Sequence, residues 1–246
     1  MAIARIFSLS ALMLCVCCPA SCALVQDLRV TTEVKIEHTG KASAKLSSKA
    51  SDDNSNVVVW LTPVSGGSAK TVSTVPPARP RLVQKNKRFY PAVLVVPVGS
   101  NVEFPNLDPF FHNVFSLFDG RRFDLGLYEA GSTRSVRFDR EGVSYIFCNI
   151  HPEMHAVVVA LATPFWGISD RAGTVALDGV PPGTYSVHVW YGQANPESIH
   201  LANKVITLSE EKTTFGPISL ATAVDETAPH KNKFGMDYDP PPASPY

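Results

Sequence analysis

The sequence predicts an all-β protein, and three observations carry that prediction. Segments that alternate apolar and polar residues recur along the chain, the period-two signature of half-buried strands. Turn formers punctuate them, with 20 Pro and 15 Gly beside abundant Val, Thr and Phe. No stretch carries a convincing amphipathic-helix pattern.

Residues 28–37 alternate as a half-buried strand does, and so do 57–61, 93–98 and 134–138. Gly99-Ser100, Asp119-Gly120 and Glu141-Gly142 are turn signals between strands. Residues 143–147 lead into a loop at Cys148, and the nearly all-apolar run 156–161 leaves it as a buried strand. Residues 65–81, rich in Gly, Ser and Pro, read as a linker. A second module follows, in which 167–177 reads as strand, turn and strand, and 180–190 repeats the pattern around Pro181-Pro182-Gly183. Residues 222–246 turn polar and end rich in Pro; a tail of that composition buries too little apolar surface to order itself and is expected to be disordered.

The N-terminus reads as an export signal over residues 1–23. Arg5 precedes a mostly apolar run, 6–18, of the length of a signal h-region. That run is too short for a membrane span, which needs about 20 apolar residues. Ser21-Cys22-Ala23 offers small residues to a signal peptidase, so the expected location is periplasmic or otherwise exported. A lipid-anchored form requires lipidation of Cys22, where Pro19 stands in place of the usual Leu. Cys15, Cys17, Cys18 and Cys22 fall in the signal, which leaves Cys148 as the one thiol of the mature chain. An exported chain with one thiol forms no internal disulfide, and a thiol in an oxidising compartment needs burial or a metal.

Cys148-Asn149-Ile150-His151-Pro152-Glu153-Met154 places a thiolate, an imidazole and a thioether on one short loop. Two His and one Cys in a plane with a long axial Met is the blue-copper arrangement. His112, 36 residues before Cys148 in a loop running into a strand, is placed to supply the second imidazole. Zinc also accepts one Cys and two His, with His155 as a fourth donor in place of Met154. Adjacent residues of an extended chain point opposite ways, so one of Met154 and His155 faces the site. A binuclear copper centre needs two bridging thiolates and multicopper clusters use His-x-His pairs; the mature chain offers neither. His38, His188, His200 and His230 stand singly and read as surface or structural residues.

On these residues the chain resembles the cupredoxins. Cys-x-x-His-x-x-Met matches the short ligand loop of the amicyanin type, and the stretch from Phe89-Tyr90-Pro91 through Val102-Glu103-Phe104-Pro105-Asn106 to His112-Asn113 matches the approach to the first His ligand. The resemblance covers residues 82–161, a short module for that family. It implies a cupredoxin Greek-key β-sandwich holding one type 1 copper through His112, Cys148, His151 and Met154. It also implies that the Asn113 side chain holds the ligand loop. Phe110, Phe111, Ile150 and Pro152 flank the ligands in sequence and read either as an apolar collar around the His151 edge or as plain core.

Residues 167–220, with Asp-x-x-Gly-x-x-x-Leu and Val-Pro-Pro-Gly-x-Tyr elements, are similar to the second half of carboxypeptidase regulatory-like domains, small transthyretin-like β-sandwiches. Residues 31–40 and 57–63 fit the first half. The expectation is a discontinuous sandwich, 27–64 plus 163–221, with the copper module inserted between its halves. Insertion at a surface turn is physically easy, since closing a loop costs little more as it lengthens. Proteins combining these modules resemble plastocyanin-like and methylamine-utilisation proteins.

The function expected is that of an exported type 1 copper protein acting as an electron carrier, with a redox protein as partner and no enzymatic turnover. The alternative is copper storage or delivery with the same ligands; a third makes the regulatory-like sandwich an adhesion or scaffolding module. Lys+Arg and Asp+Glu balance at 22 each, which gives no footprint for nucleic acid or an anionic membrane. Membrane association is expected only if Cys22 is lipidated.

Overall fold

The structure is a computed structural model that describes residues 27–38, 53–64, 79–117, 120–222 and 231–238. The expected signal segment, 1–23, lies outside the described residues, as do most of the 65–81 linker and parts of the tail. The chain is nearly all β, as its composition predicts. It forms β1 (Leu28–Glu37) and β2 (Val58–Pro63), then β3 (Val83–Lys85), β4 (Arg88–Tyr90), β5 (Val93–Pro97), β6 (Ser100–Pro105), β7 (His112–Ser116), β8 (Phe123–Tyr128), β9 (Thr133–Phe138), β10 (Gly142–Phe147) and β11 (His155–Leu161). It returns through β12 (Trp166–Ile168), β13 (Thr174–Val180), β14 (Gly183–Trp190), helix α1 (Pro196–Ala202), β15 (Lys204–Leu208) and β16 (Ile218–Ala221).

Two sandwiches result. The first, the frame, packs the sheet β13-β1-β16 against the sheet β12-β2-β14-β15. The alternation of β1 turns Leu28, Val30, Val34 and Ile36 inward, where they meet Val59 and Leu61 of β2 and Val187 and Val189 of β14. The second packs the sheet β5-β11-β10-β7-β8 against the pair β6-β9, around Phe104, Val114, Tyr128, Phe138, Ile146 and Val158. Its β3-β4 hairpin turns at Asn86 and Lys87, both with φ of 54°. This inserted sandwich leaves the frame after β2 and rejoins it at β12, which pairs antiparallel with β2 through Trp166 and Trp60. The return is pinned where the Thr163 hydroxyl donates to the Leu61 carbonyl at 2.8 Å.

A third apolar cluster lies between the sandwiches. Val58 and Trp60 on the outer face of β2 and Trp190 of β14 meet Val93, Val95, Val157 and Val159 of β5 and β11. The run 156–161 is apolar at every position for this reason: Ala156, Val158 and Ala160 fill the inserted core, while Val157, Val159 and Leu161 fill the interface. A strand buried on both faces has no use for alternation. His188, one of the scattered histidines, belongs to this layer; its ring stacks on Trp60 at 5.4 Å and bonds the Thr62 hydroxyl at 2.8 Å. His38 and His200 are exposed, and His230 lies outside the described residues.

Helix α1 departs from the helix-free expectation. Its seven residues are too few to show a period, but its start is written in Asn195-Pro196-Glu197. The Asn195 side chain accepts from the Ser198 N–H at 2.7 Å, Pro196 occupies the first turn, and Glu197 sits where the helix dipole favours an anion.

Candidate metal centre

β10 and β11 pair antiparallel up to Phe147 and His155, so residues 148–154 form the loop that closes this hairpin. The loop is drawn tight by the Cys148 N–H donating to the Met154 carbonyl at 3.2 Å and the Met154 N–H donating to the His151 carbonyl at 3.0 Å. β7 lies beside β10, with Phe115 opposite Phe147, so its first residue, His112, opens at the same end of the sheet. Sheet order thus brings together residues that the sequence separates by 36 positions.

Cys148 Sγ lies 3.7 Å from His112 Nδ1 and 3.6 Å from His151 Nδ1. One ion with bonds of about 2.0–2.3 Å reaches nitrogen and sulfur atoms at such separations. Among the described residues, His112, Cys148 and His151 are the grouped His, Cys and acidic donors placed to hold a metal. Met154 is fully buried in the same core cluster as Cys148. His155 is exposed, so of the two adjacent candidates it is Met154 that shares the interior with the thiol. One thiol, two imidazoles and a thioether are soft to borderline donors, suited to a transition metal rather than to magnesium or calcium.

The charges around the cluster are arranged to keep both imidazoles available. Asp108 is 4% exposed, and its Oδ2 lies 2.8 Å from His112 Nε2. Burial pulls the Asp108 carboxyl upward, but the N–H groups of Lys87 and Asn86 and the His112 ring together hold it below its ordinary value. An ionised Asp108 accepts the Nε2 proton of His112 and leaves the Nδ1 lone pair facing Cys148. Burial, followed by the nearby His112, lowers the pKa of His151 and keeps its ring neutral. Burial pushes the Cys148 thiol up, opposed by the N–H groups of Ile150, Asn113 and His151 that point at its sulfur. A bound cation acts against that burial effect and favours the thiolate.

The expected collar is present as apolar surface. Phe110 packs its ring 5.2 Å from His112 and 5.8 Å from His151. Phe110 and Ile150 are 36% and 43% exposed, Phe111 is more exposed still, and Pro152 is half-buried. Leu107 and Leu127 add exposed apolar area at this end.

Three features differ from expectation. The Asn113 side chain does not reach the ligand loop; its Nδ2 donates to Asp124 Oδ1 of β8 at 2.7 Å. Asp124 also accepts from Lys233 Nζ at 2.8 Å. Residues 231–238, within the tail expected to be disordered, pack against the Cys148 loop: the Lys233 N–H donates to Asn149 Oδ1 at 2.9 Å and the Tyr238 hydroxyl to the Cys148 carbonyl at 2.8 Å. Phe234 and Met236 of this segment stay exposed, and hydrogen bonds rather than apolar burial hold this part of the tail. Asp108, Asp124, Lys233 and Tyr238 were not singled out by sequence. The one local signal for the last two is the turn-forming Asn232 and Gly235.

The molecule is thus an all-β protein of two sandwiches with a buried thiol–imidazole cluster at one end of the inserted one. No protein-family model matches the chain, and no curated protein matches it. Similar solved structures include a purple cupredoxin from Nitrosopumilus maritimus at 23% identity, covering 33% of this chain and 99% of that one with a TM-score of 0.31. A reduced amicyanin mutant is 21% identical, covering 36% of this chain and 88% of that one with a TM-score of 0.33. The copper-containing nitrite reductase of Thermus scotoductus SA-01 is 22% identical, covering 51% of this chain and 28% of that one, again at 0.33.

Proposed function

We propose that the chain is an exported type 1 copper protein that carries single electrons between protein partners. The observation that carries this reading is the placement of Cys148 Sγ within 3.7 Å of the Nδ1 atoms of both His112 and His151. Copper, when bound, supplies a one-electron couple. Cys148, His112 and His151 would hold it as thiolate and imidazole donors, and Met154 would add a weaker thioether donor. Four side-chain donors leave no open coordination position for a substrate, which favours a carrier over an enzyme.

The chain's own residues supply the rest. Asp108 fixes the tautomer and angle of His112, so that ligand is set before any metal arrives. The buried sulfur, with N–H groups aimed at it from the 148–154 loop and from β7, sits in a shell that resists the rearrangement slow electron carriers suffer. His151 lies at the edge of the cluster beside Phe110 and Ile150. That apolar rim would exclude water and dock a redox protein, with His151 as the exit edge. The frame sandwich, likened by its sequence to a carboxypeptidase regulatory-like domain, would present this end outward. Export by the 1–23 segment fits the one thiol left to the mature chain; membrane attachment would follow from Cys22 lipidation alone.

The test is a visible absorption spectrum of the mature protein after addition of Cu(II), with Cys148→Ala as control. An intense blue or purple band that the variant lacks is the expected result. A colourless protein that takes up Cu(I) or zinc would instead favour storage, delivery or a structural metal.

A further inference from the structure

Residues 231–238 are the one described segment beyond Thr222, and they do not lie at random on the surface. The segment folds itself: Asn232 Oδ1 accepts from the N–H groups of Phe234 and Met236 at 2.9 and 3.1 Å, and the Asn232 N–H donates to the Met236 carbonyl at 2.8 Å. Gly235, at φ +77°, takes the left-handed position that closes the turn. Lys231 and Asp237 pair across its ends. A preformed turn docks with less entropy left to lose.

Its outward bonds go to two places, both of which carry donors to the Cys148 sulfur. The Tyr238 hydroxyl fixes the Cys148 carbonyl, and the Lys233 N–H fixes the Asn149 side chain. These hold the peptides that lead to the Ile150 and His151 N–H groups aimed at Sγ. The Lys233 ammonium bonds Asp124, which bonds the Asn113 side chain, and the Asn113 N–H also points at Sγ. Lys233 is three-quarters buried, with 26% of its side chain exposed, an ion pair better shielded from solvent than the other Lys and Arg pairs of the described residues.

We propose that residues 231–238 are a clasp across the metal loop, in which Tyr238 and Lys233 are positioning residues that tie the two segments donating hydrogen bonds to Cys148. The clasp acts on the shape of the empty loop and, through the sulfur's hydrogen bonds, on the energy of any thiolate-to-metal transition. It deepens the copper reading and rests on it for purpose, but its geometry belongs to the polypeptide alone.

The experiment uses the full mature chain with Tyr238→Phe, Lys233→Met, the double variant, and Lys233→Arg as a charge-keeping rescue. In the metal-free protein, amide hydrogen exchange at Cys148 and Met154 should accelerate about tenfold in the double variant, with β1 and β13 amides unchanged. Lys233→Arg should return most of the protection. After Cu(II) addition, Tyr238→Phe should shift the charge-transfer band at unchanged stoichiometry. Wild-type exchange in the double variant overturns the clasp even if the band is present. Faster exchange in a protein that shows no band supports the clasp and sinks the copper reading.

Discussion

The two sandwich cores are built of similar strands and bury very different chemistry. In the frame, the buried polar residues are hydroxyls, Thr32, Thr163, Ser169, Ser198 and Thr222. Several are tied to a nearby backbone carbonyl, as Thr32 is to Phe215 at 3.1 Å and Ser198 to Asn195 at 2.9 Å. The inserted core also buries two hydroxyls, Ser116 and Ser144, but adds Gln84, Asn106, Asp108, His112 and Asn113, which are amides, a carboxylate and an imidazole. Among the described residues, Gln84 Oε1, Asn113 Oδ1, Ser116 Oγ and Arg121 Nε have no hydrogen-bond partner, and all four belong to the insert. An unpaired buried polar atom costs about 1–3 kcal/mol, so a chain selected for stability alone would not place such groups at one end. The frame is assembled for packing, and one end of the insert gives up packing for chemistry.

That contrast is broken or upheld by a crossed pair of substitutions. Leu177 is fully buried in the frame core. Leu177→Ala should cost about 2–5 kcal/mol of unfolding free energy, while the copper spectrum below the transition stays as in wild type. Cys148→Ala should do the reverse, abolishing the copper band while shifting metal-free stability by no more than about 1.5 kcal/mol. Urea unfolding and absorption on the same samples read both. A frame substitution that altered the band would show the two regions to be energetically one.

A smaller effect separates the two imidazoles within the inserted end. His112 is fully buried and leans on Asp108, whereas His151 sits half-buried with Phe110 beside it. Asp108→Asn keeps the volume but loses the ionised acceptor that fixes the His112 proton on Nε2. Copper affinity should fall by about 10–100-fold, the usual cost of removing such a partner. Competition with a chelator of known affinity measures it. A change under about twofold would mean that the backbone around β7 alone orients His112.

What the sequence makes legible follows from the range of the interactions involved. The all-β class is readable because alternation is a local property, as in 28–37. The loop from Cys148 to Met154 is readable because three donors fall within seven residues. His112 is different: nothing local joins it to Cys148, and only the family pattern suggests what the β7–β10 neighbourhood achieves in space. The Asp108–His112 bond spans four residues in an irregular loop, where spacing carries no period. The clasp is out of reach for the same reason, since 84 positions separate Lys233 from Asn149. Low apolar content in the tail argues against a packed core, but it does not forbid docking by hydrogen bonds on a surface already formed.

The smallest expected effect uses pH to set His151 against the carboxylates. Burial lowers the His151 pKa from its ordinary value of about 6.5, so the unfolded chain binds that proton more readily than the folded one. Its contribution to metal-free stability is therefore fully present above about pH 6.5 and is lost as the pH falls through the folded pKa. Asp108 and Asp124 are also held below their ordinary values. Their contributions have the same sign but are lost only below about pH 3.9, the ordinary Asp value. The two windows open at different pH, about 6.5 for His151 and about 3.9 for the carboxylates, so metal-free stability should begin to fall in two stages on acidification. His151→Asn should remove the first step and leave the second. Urea midpoints of the metal-free protein at several values between pH 7.5 and 3 would resolve them. A first step that survives in His151→Asn would assign it to another group.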